Sequence, residues 1–82
     1  MKPRKLALGN RNIIGRRVTD ARKNLGMKQV DLLAQLQLKG IDMSVPALSL
    51  LEGQKRPVSD IELNALADIL NVSVDWLLGR TE

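Results

Sequence analysis

A serine-centred pattern occurs three times in the second half of this chain and limits it to a helical fold. In each copy an apolar residue precedes the serine, and a second apolar residue follows it four positions later. The copies are Met43–Ser44–Leu48, Val58–Ser59–Leu63 and Val72–Ser73–Leu77. Such a serine accepts a hydrogen bond from the first helical turn, while the two apolar residues pack together across the helix start. The pattern therefore predicts three successive helices, and Glu62 adds a capping box to the middle one.

The spacing of apolar residues and the positions of glycines predict where the helices begin and end. The first begins near Asn10 or Asn12 and ends at Gly26. The others are predicted at about 28–38, 44–52, 60–70 and 74–78. Gly40, Gly53 and Gly79 end the second, third and fifth helices, and residues 39–43 form a short turn. The predicted buried residues recur at helical spacing: Ile14, Val18, Ala21 and Leu25; Val30, Leu32, Leu33 and Leu36; Leu48 and Leu51; Leu63, Leu66, Ala67 and Leu70.

These elements predict the fold class. No segment alternates in the manner of a β-strand, so the chain is expected to be all-α. The short connections favour five helices that cross steeply in one compact domain, residues 10–82. Residues 1–9 lack periodicity and contain Pro3 and Gly9, which predicts a flexible basic arm.

Charge is distributed unevenly along the 82 residues. Residues 1–28 hold nine of the thirteen lysines and arginines and one acid, Asp20, a net charge of +8. The remaining four basic and eight acidic residues give −4. A basic region attracts a polyanion such as nucleic acid, although a solvated helix face has the same composition. The single aromatic residue, Trp76, argues against a platform for stacking single-stranded bases.

The composition also argues against several kinds of function. The chain has no cysteine and no histidine, which removes disulfides, thiolates and imidazole ligands. It has no glycine-rich phosphate loop and no nucleophile–base pair, and Asp60 and Glu62 belong to a helix cap. We therefore expect no catalytic residues, no cofactor, no metal and no small-molecule ligand. No apolar run approaches the ~20 residues that span a membrane, which favours a cytoplasmic protein.

Three segments, in this order, resemble a known family. The first segment contains IGRRV at 14–18, Arg22-Lys23, GMKQ at 26–29 and Leu32. The second contains LSLLEG at 48–53 and KRP at 55–57. The third is NVSVDWLLG at 71–79. Over residues 13–79 they resemble the Cro/C1-type (phage repressor-like, XRE) helix-turn-helix domains. The resemblance implies a five-helix, lambda-repressor-like fold. Its second and third helices form the helix-turn-helix, and residues 44–52 enter the major groove of double-stranded DNA.

The resemblance also implies roles for individual residues. Gln29 matches a position that contacts a DNA phosphate, which suits the N-terminus of a helix. Arg22 and Glu52 match a salt bridge between the first and third helices, and Lys55 and Arg56 match a loop near the DNA backbone. The residues expected to contact phosphate are Arg17, Lys28, Gln29, Lys39, Lys55 and Arg56.

The sequence departs from the family at three points. The turn between the second and third helices is longer, which brings Lys39 nearer to DNA. Lys28 stands where the family has a serine or threonine cap, which weakens that cap by ~1 kcal/mol. The outward face of the third helix is unusually apolar, and only its two serines can form hydrogen bonds with bases. The residues expected to face the bases are Ser44, Val45, Pro46, Ala47, Ser49 and Leu50.

Two functions fit this apolar face. The first is sequence-specific DNA binding by a repressor-like regulator, in which Val45, Ala47 and Leu50 contact thymine methyl groups. The alternative is a protein-interaction module, such as an antitoxin-like partner, that uses the same face. The face could also pack against the arm or a neighbouring subunit.

The closing segment predicts a homodimer. The family precedent and the apolar residues Trp76, Leu77 and Leu78 place a two-fold interface near the fifth helix. In a competing interpretation the same residues close the core.

Overall fold

The computed structural model describes residues 11–80, which form five α-helices and no strand. The helices are α1 Gly15–Asn24, α2 Gln29–Leu38, α3 Val45–Glu52, α4 Asp60–Leu70 and α5 Val74–Leu77. The prediction of an all-α class with five helices is confirmed. The predicted arm, residues 1–9, lies outside the described residues. No helix within residues 11–80 is long and apolar enough to cross a membrane.

All three predicted serine caps are present. The hydroxyl oxygens of the serines accept main-chain N–H groups three residues ahead: Ser44 from Ala47 at 3.2 Å, Ser59 from Glu62 at 3.1 Å and Ser73 from Trp76 at 2.9 Å. The Glu62 carboxylate accepts the Ser59 N–H at 3.0 Å and completes the capping box. The apolar residues before the three serines pack against the core.

The first helix begins later than predicted, whereas the second begins after Lys28, the residue predicted at its cap position. α1 begins at Gly15, and Asn12 Oδ1 accepts the N–H groups of Ile14 at 3.0 Å and Gly15 at 2.8 Å. Asn12 thus satisfies the helix start from outside the helix, while Asn10 lies outside the described residues. At α2 the N-cap residue is Lys28, whose side chain has no acceptor. The Asp31 carboxylate accepts the Lys28 N–H at 2.9 Å, so half a capping box replaces the missing cap.

Each helix ends at a residue in the left-handed conformation. The φ angles are 67° at Gly26, 85° at Gly40, 61° at Gln54, 58° at Asn71 and 76° at Gly79. Gly53, predicted to close α3, has φ −84°, and the left-handed position falls on Gln54 instead. The N–H groups of Gln54 and Lys55 donate to the carbonyls of Leu51 and Leu50 at 3.0 and 2.8 Å. These bonds satisfy the last turn of α3.

Gln54→Gly is expected to raise the free energy of unfolding by about 1 kcal/mol, because a left-handed side chain costs roughly 1–2 kcal/mol that glycine largely avoids. Gly26→Ala is the matched opposite change, which introduces a side chain at another left-handed position. A Cβ there meets nothing within 4 Å, so its expected loss of about 1 kcal/mol comes from the backbone alone. Urea unfolding measures both changes. Loss of stability in both variants would show that contacts of the Gln54 side chain outweigh its backbone strain.

Apolar side chains from all five helices form one core. The buried residues are Ile14, Val18, Ala21, Leu32, Leu36, Leu48, Leu51, Ala65, Leu66, Ala67, Leu70 and Leu77. α4 packs on α1, α2 and α5, and α3 packs on α1 and α2. The other predicted core residues Leu33 and Leu63 are half-buried against this cluster. The core therefore leaves one side of α3 open to solvent.

Two residues predicted to be buried are exposed. Leu25 is 52% exposed and Val30 is 58% exposed. Leu25 follows the last turn of α1, where the helical spacing no longer applies. Val30 precedes Leu32 by two positions, which is about 200° around a helix, so it lies on the side opposite the core. Both predictions were wrong because the apolar pattern was extended beyond the buried face.

Candidate nucleic-acid interface

The C-terminal end of α3 lies directly against the start of α1. Gly15 is buried at this contact. A Cβ on Gly15 would overlap the Leu51 carbonyl oxygen and lie 2.8 Å from the Glu52 carbonyl oxygen. The Asn12 amide donates to the carbonyls of Leu51 at 3.1 Å and Arg56 at 2.8 Å. These contacts fix the end of α3 and the loop after it to α1.

A buried ion pair makes a second link between α1 and α3. Arg22 Nε donates to Glu52 Oε2 at 2.8 Å, and Arg22 Nη2 donates to Glu52 Oε1 at 3.1 Å. The two side chains are 10% and 8% exposed. Arg22 Nη1 donates to the Met27 carbonyl at 2.9 Å, which ties in the segment before α2. The salt bridge that the family resemblance implied is present, with a bidentate geometry.

Gln29 connects this ion pair to the outward side of α3. Its Nε2 atom donates to Glu52 Oε1 at 3.1 Å and to Ser49 Oγ at 3.4 Å. The start of α2 and the middle of α3 are therefore joined in one surface. We call this the α2–α3 surface and define it as the residues Lys28, Gln29, Val45, Pro46, Ser49 and Leu50.

Most residues predicted to face the bases are open to solvent. Val45 is 43% exposed and Leu50 is 46% exposed, and Pro46 and Ser49 are also exposed. Ser44 is exposed, but its hydroxyl oxygen caps α3. Ala47 is half-buried and presents less surface than predicted, since it lies beside the buried Leu48 and Leu51 on the helix.

Arg17, predicted to contact phosphate, lies elsewhere. Its guanidinium carbon is 5.1 Å from the centroid of the Trp76 ring, a cation–π contact. On α1 it is about 140° around the helix from Arg22, which faces α3. Arg17 is therefore held by α5 and is not brought together with Gln29 and Ser49.

Of the four other cations predicted to contact phosphate, two lie beside carboxylates and two are exposed. Lys39 Nζ lies 3.5 Å from an Asp68 carboxylate oxygen on α4. Arg56 Nη2 lies 3.3 Å from Glu62 Oε2 in a half-buried pair. Lys28 and Lys55 are exposed. Two of the six predicted residues, Lys28 and Gln29, thus lie on the α2–α3 surface.

The connection between α2 and α3, residues 39–44, is held against the core. Ile41 and Met43 are half-buried there, and Arg56 Nη1 lies 3.9 Å from the Met43 sulfur. The Ile41 N–H donates to the Leu36 carbonyl at 2.9 Å. The longer connection is therefore packed on the domain rather than projecting beside α3.

The residues predicted to form a dimer interface play different parts. Leu77 is fully buried in the core, so the prediction that it contacts a second subunit is wrong. It takes this position because it is the inward apolar partner in the serine pattern of α5. Trp76 and Leu78 are half-buried, and one part of Trp76 is covered by Arg17.

Two residues that organise this site were not predicted as part of it. Gly15 allows the close approach of α1 and α3, and the side chain of Asn12, three residues before α1, reaches the end of α3. A glycine inside a helical apolar pattern was the available signal, because it often marks a close approach of two backbones. The second acceptor of the Gln29 amide, Ser49, had no sequence signal.

The chain matches no protein-family model, no curated protein and no solved structure.

Proposed function

We propose that this chain binds double-stranded DNA in a sequence-specific manner and acts as a repressor-like transcriptional regulator of the Cro/C1 type. In this proposal α2 and α3 act as the helix-turn-helix, and α3 lies in the major groove. The main supporting observation is the hydrogen bonding of Gln29 to both Glu52 and Ser49. It keeps the start of one helix beside the exposed side of the next, as groove docking requires. A regulator of this kind acts in the cytoplasm.

The two parts of the α2–α3 surface suit different parts of DNA. The start of α2 has main-chain N–H groups without helical partners and the positive end of the helix dipole, which favour a phosphate. Lys28 adds a cation there. The α3 sequence, VPALSLLE, contains no lysine or arginine. Phosphate contacts therefore supply affinity, and the side chains of α3 supply sequence preference.

Two-fold symmetric binding would need a subunit interface. Trp76 and Leu78 are the remaining candidates in the closing segment, since each is partly exposed. Operator symmetry in such proteins follows from the symmetry of the dimer.

A second function is favoured by the apolar character of α3. Val45 and Leu50 are each more than two-fifths exposed, and exposed apolar residues in a small domain often mark a protein interface. In this alternative the same surface binds a protein partner in the manner of an antitoxin.

If phosphate contacts supply the affinity, binding should weaken steeply as the salt concentration rises. About four contacts per subunit give a log–log slope of roughly −3.6 per subunit, because counterions are released on binding. Lys28→Ala should reduce the magnitude of the slope by about 1. Lys39→Ala is the control, since its ammonium group already lies 3.5 Å from Asp68. Fluorescence anisotropy across a potassium chloride series measures the slopes, and a flat dependence would contradict the proposal.

The proposal itself is tested by selecting bound duplexes from a random DNA pool, with sedimentation measured in parallel. A palindromic consensus bound by a dimer is the expected result. Absence of any enriched sequence would contradict sequence-specific binding and favour the protein-interaction alternative.

A further inference from the structure

We propose that Ser49 determines specificity by donating a hydrogen bond to the O4 atom of a thymine, with Val45 and Pro46 against the methyl group of the same base. The inference rests on the proposed DNA-binding function. It goes further by naming the base and the direction of the hydrogen bond.

The direction of the proposed hydrogen bond follows from the buried ion pair of Arg22 and Glu52. Arg22 donates to both carboxylate oxygens of Glu52, and an ionised carboxylate offers acceptors only. The Gln29 atom that faces Glu52 Oε1 must therefore be the amide nitrogen rather than the amide oxygen. This fixes the orientation of the Gln29 side chain within the folded domain.

The orientation of the Gln29 side-chain amide determines whether the Ser49 hydroxyl accepts or donates a hydrogen bond. Gln29 Nε2 lies 3.4 Å from Ser49 Oγ, and since an amide nitrogen only donates, the serine acts as acceptor on this side. A hydroxyl has one hydrogen, which remains to be donated elsewhere. Helical serines and threonines often donate it to the carbonyl four residues back, as Thr19 does to Gly15 at 3.2 Å. Within residues 11–80 no such bond is formed by Ser49, which is exposed.

On the N-terminal side of Ser49 along α3 the neighbouring side chains are apolar. Val45 and Pro46 precede it by four and three positions, so both lie on its side of α3, and both are exposed. A donor beside apolar surface matches thymine, whose major-groove edge presents the O4 acceptor next to the C5 methyl group. Cytosine presents a donor in place of O4, and guanine has acceptors but no methyl group. Thymine is the base that satisfies both features.

The same geometry changes the expected role of Gln29. Both amide hydrogens are used within the domain, so the side chain offers its oxygen, an acceptor. Adenine presents the N6 donor beside O4 of the paired thymine. Gln29 is thus suited to the adenine of that base pair, and phosphate binding is left to Lys28 and the main-chain N–H groups of α2.

The test pairs protein variants with modified duplexes of the selected consensus. Replacing the thymine by 5-methylcytosine, opposite inosine, keeps the methyl group and exchanges the O4 acceptor for a donor. The exchange also replaces the N6 donor of adenine, which faces Gln29, by the O6 acceptor of inosine, so both wild type and Ser49→Ala should bind less tightly. The affinity of wild type should fall about fivefold to tenfold further than that of Ser49→Ala, as expected for the one hydrogen bond that only wild type loses. Uracil removes only the methyl group. It should weaken wild type and Ser49→Ala equally, and Val45→Ala less.

A measurement without DNA tests the orientation of the amide. Ser49→Ala should shift the nitrogen and hydrogen NMR resonances of the Gln29 side-chain amide. The Gln35 amide, exposed on the same helix, is the reference and should not shift. Unchanged Gln29 resonances would overturn the inference.

The outcomes separate the two proposals. If the selection yields no consensus, the DNA-binding function fails and this inference fails with it. If a consensus is found but no thymine shows coupling to Ser49, the function stands and this inference alone is overturned. Folding is not expected to interfere, since Ser49 is exposed and alanine is the stronger helix former.

Discussion

Gly15→Ala is expected to lower the free energy of unfolding by about 3 kcal/mol, at the upper end of the usual cost of overpacking. The added Cβ would overlap the Leu51 carbonyl oxygen and lie 2.8 Å from the Glu52 carbonyl oxygen. Both obstacles are main-chain atoms, which cannot rotate away as the end of a side chain can. α1 must therefore move away from α3, which weakens the Asn12 and Arg22 contacts as well.

Gly53→Ala is the matched control for this prediction. A Cβ on Gly53 lies 3.3 Å from the nearest atom, the Ser49 carbonyl oxygen, and φ is −84°. Its effect should be well below that of Gly15→Ala in the same urea titration. Equal effects at the two glycines would show that α1 and α3 separate without cost.

Removal of either partner of the Arg22–Glu52 pair should destabilise the domain by about 3 kcal/mol, because it leaves a buried charge without its counter-ion. In Arg22→Ala the Glu52 carboxylate, 8% exposed, keeps only the Gln29 amide as a donor. In Glu52→Ala the guanidinium keeps only the Met27 carbonyl. A chain of this size has roughly 4–12 kcal/mol of total stability, so either loss is a large part of it.

A double-mutant cycle measures the coupling of this pair. The cycle combines Arg22→Met, Glu52→Leu and the double variant Arg22→Met/Glu52→Leu. The double variant strands neither charge, so its stability should lie close to that of wild type. The exposed pair Arg80–Asp75, 4.0 Å apart, is the control and should couple by under about 1 kcal/mol. Equal coupling in the two pairs would mean that Arg22 and Glu52 are only neighbours.

The local structure was predictable because its causes lie within a few residues. Each serine cap joins a hydroxyl to an N–H three positions ahead, so the residues that form it are read together in the sequence. The glycines Gly26, Gly40 and Gly79 were predicted for the same reason. At α3 the left-handed residue is Gln54, since the backbone turns one position after Gly53.

The packing between helices was harder to predict because it depends on which distant residues meet. The sequence does not show which partner each lysine or arginine contacts. In the structure Arg17 lies over the Trp76 ring, and Lys39 lies beside Asp68. Leu77 could be assigned to an interface as easily as to the core. The Arg22–Glu52 pair was identified only through the family resemblance, since its partners are thirty positions apart. Most residues predicted for the candidate site on α3 are exposed, but the hydrogen bonding of Ser49 with Gln29 was not foreseen.

The central claim, that the outward side of α3 enters the major groove, is tested most directly by Leu50→Lys. Leu50 is 46% exposed, so the domain should still fold. The control is Leu38→Lys, the same change at a residue that is 82% exposed and about 14 Å along α2 from Gln29.

The affinities of both variants are measured for the selected consensus and for an unrelated duplex. The ratio of the two affinities is the specificity ratio. Groove insertion predicts that Leu50→Lys raises binding to the unrelated duplex and reduces the specificity ratio, because a cation replaces an apolar base contact. Leu38→Lys should keep the wild-type ratio. An unaltered or improved ratio in Leu50→Lys would contradict groove insertion of this side of α3.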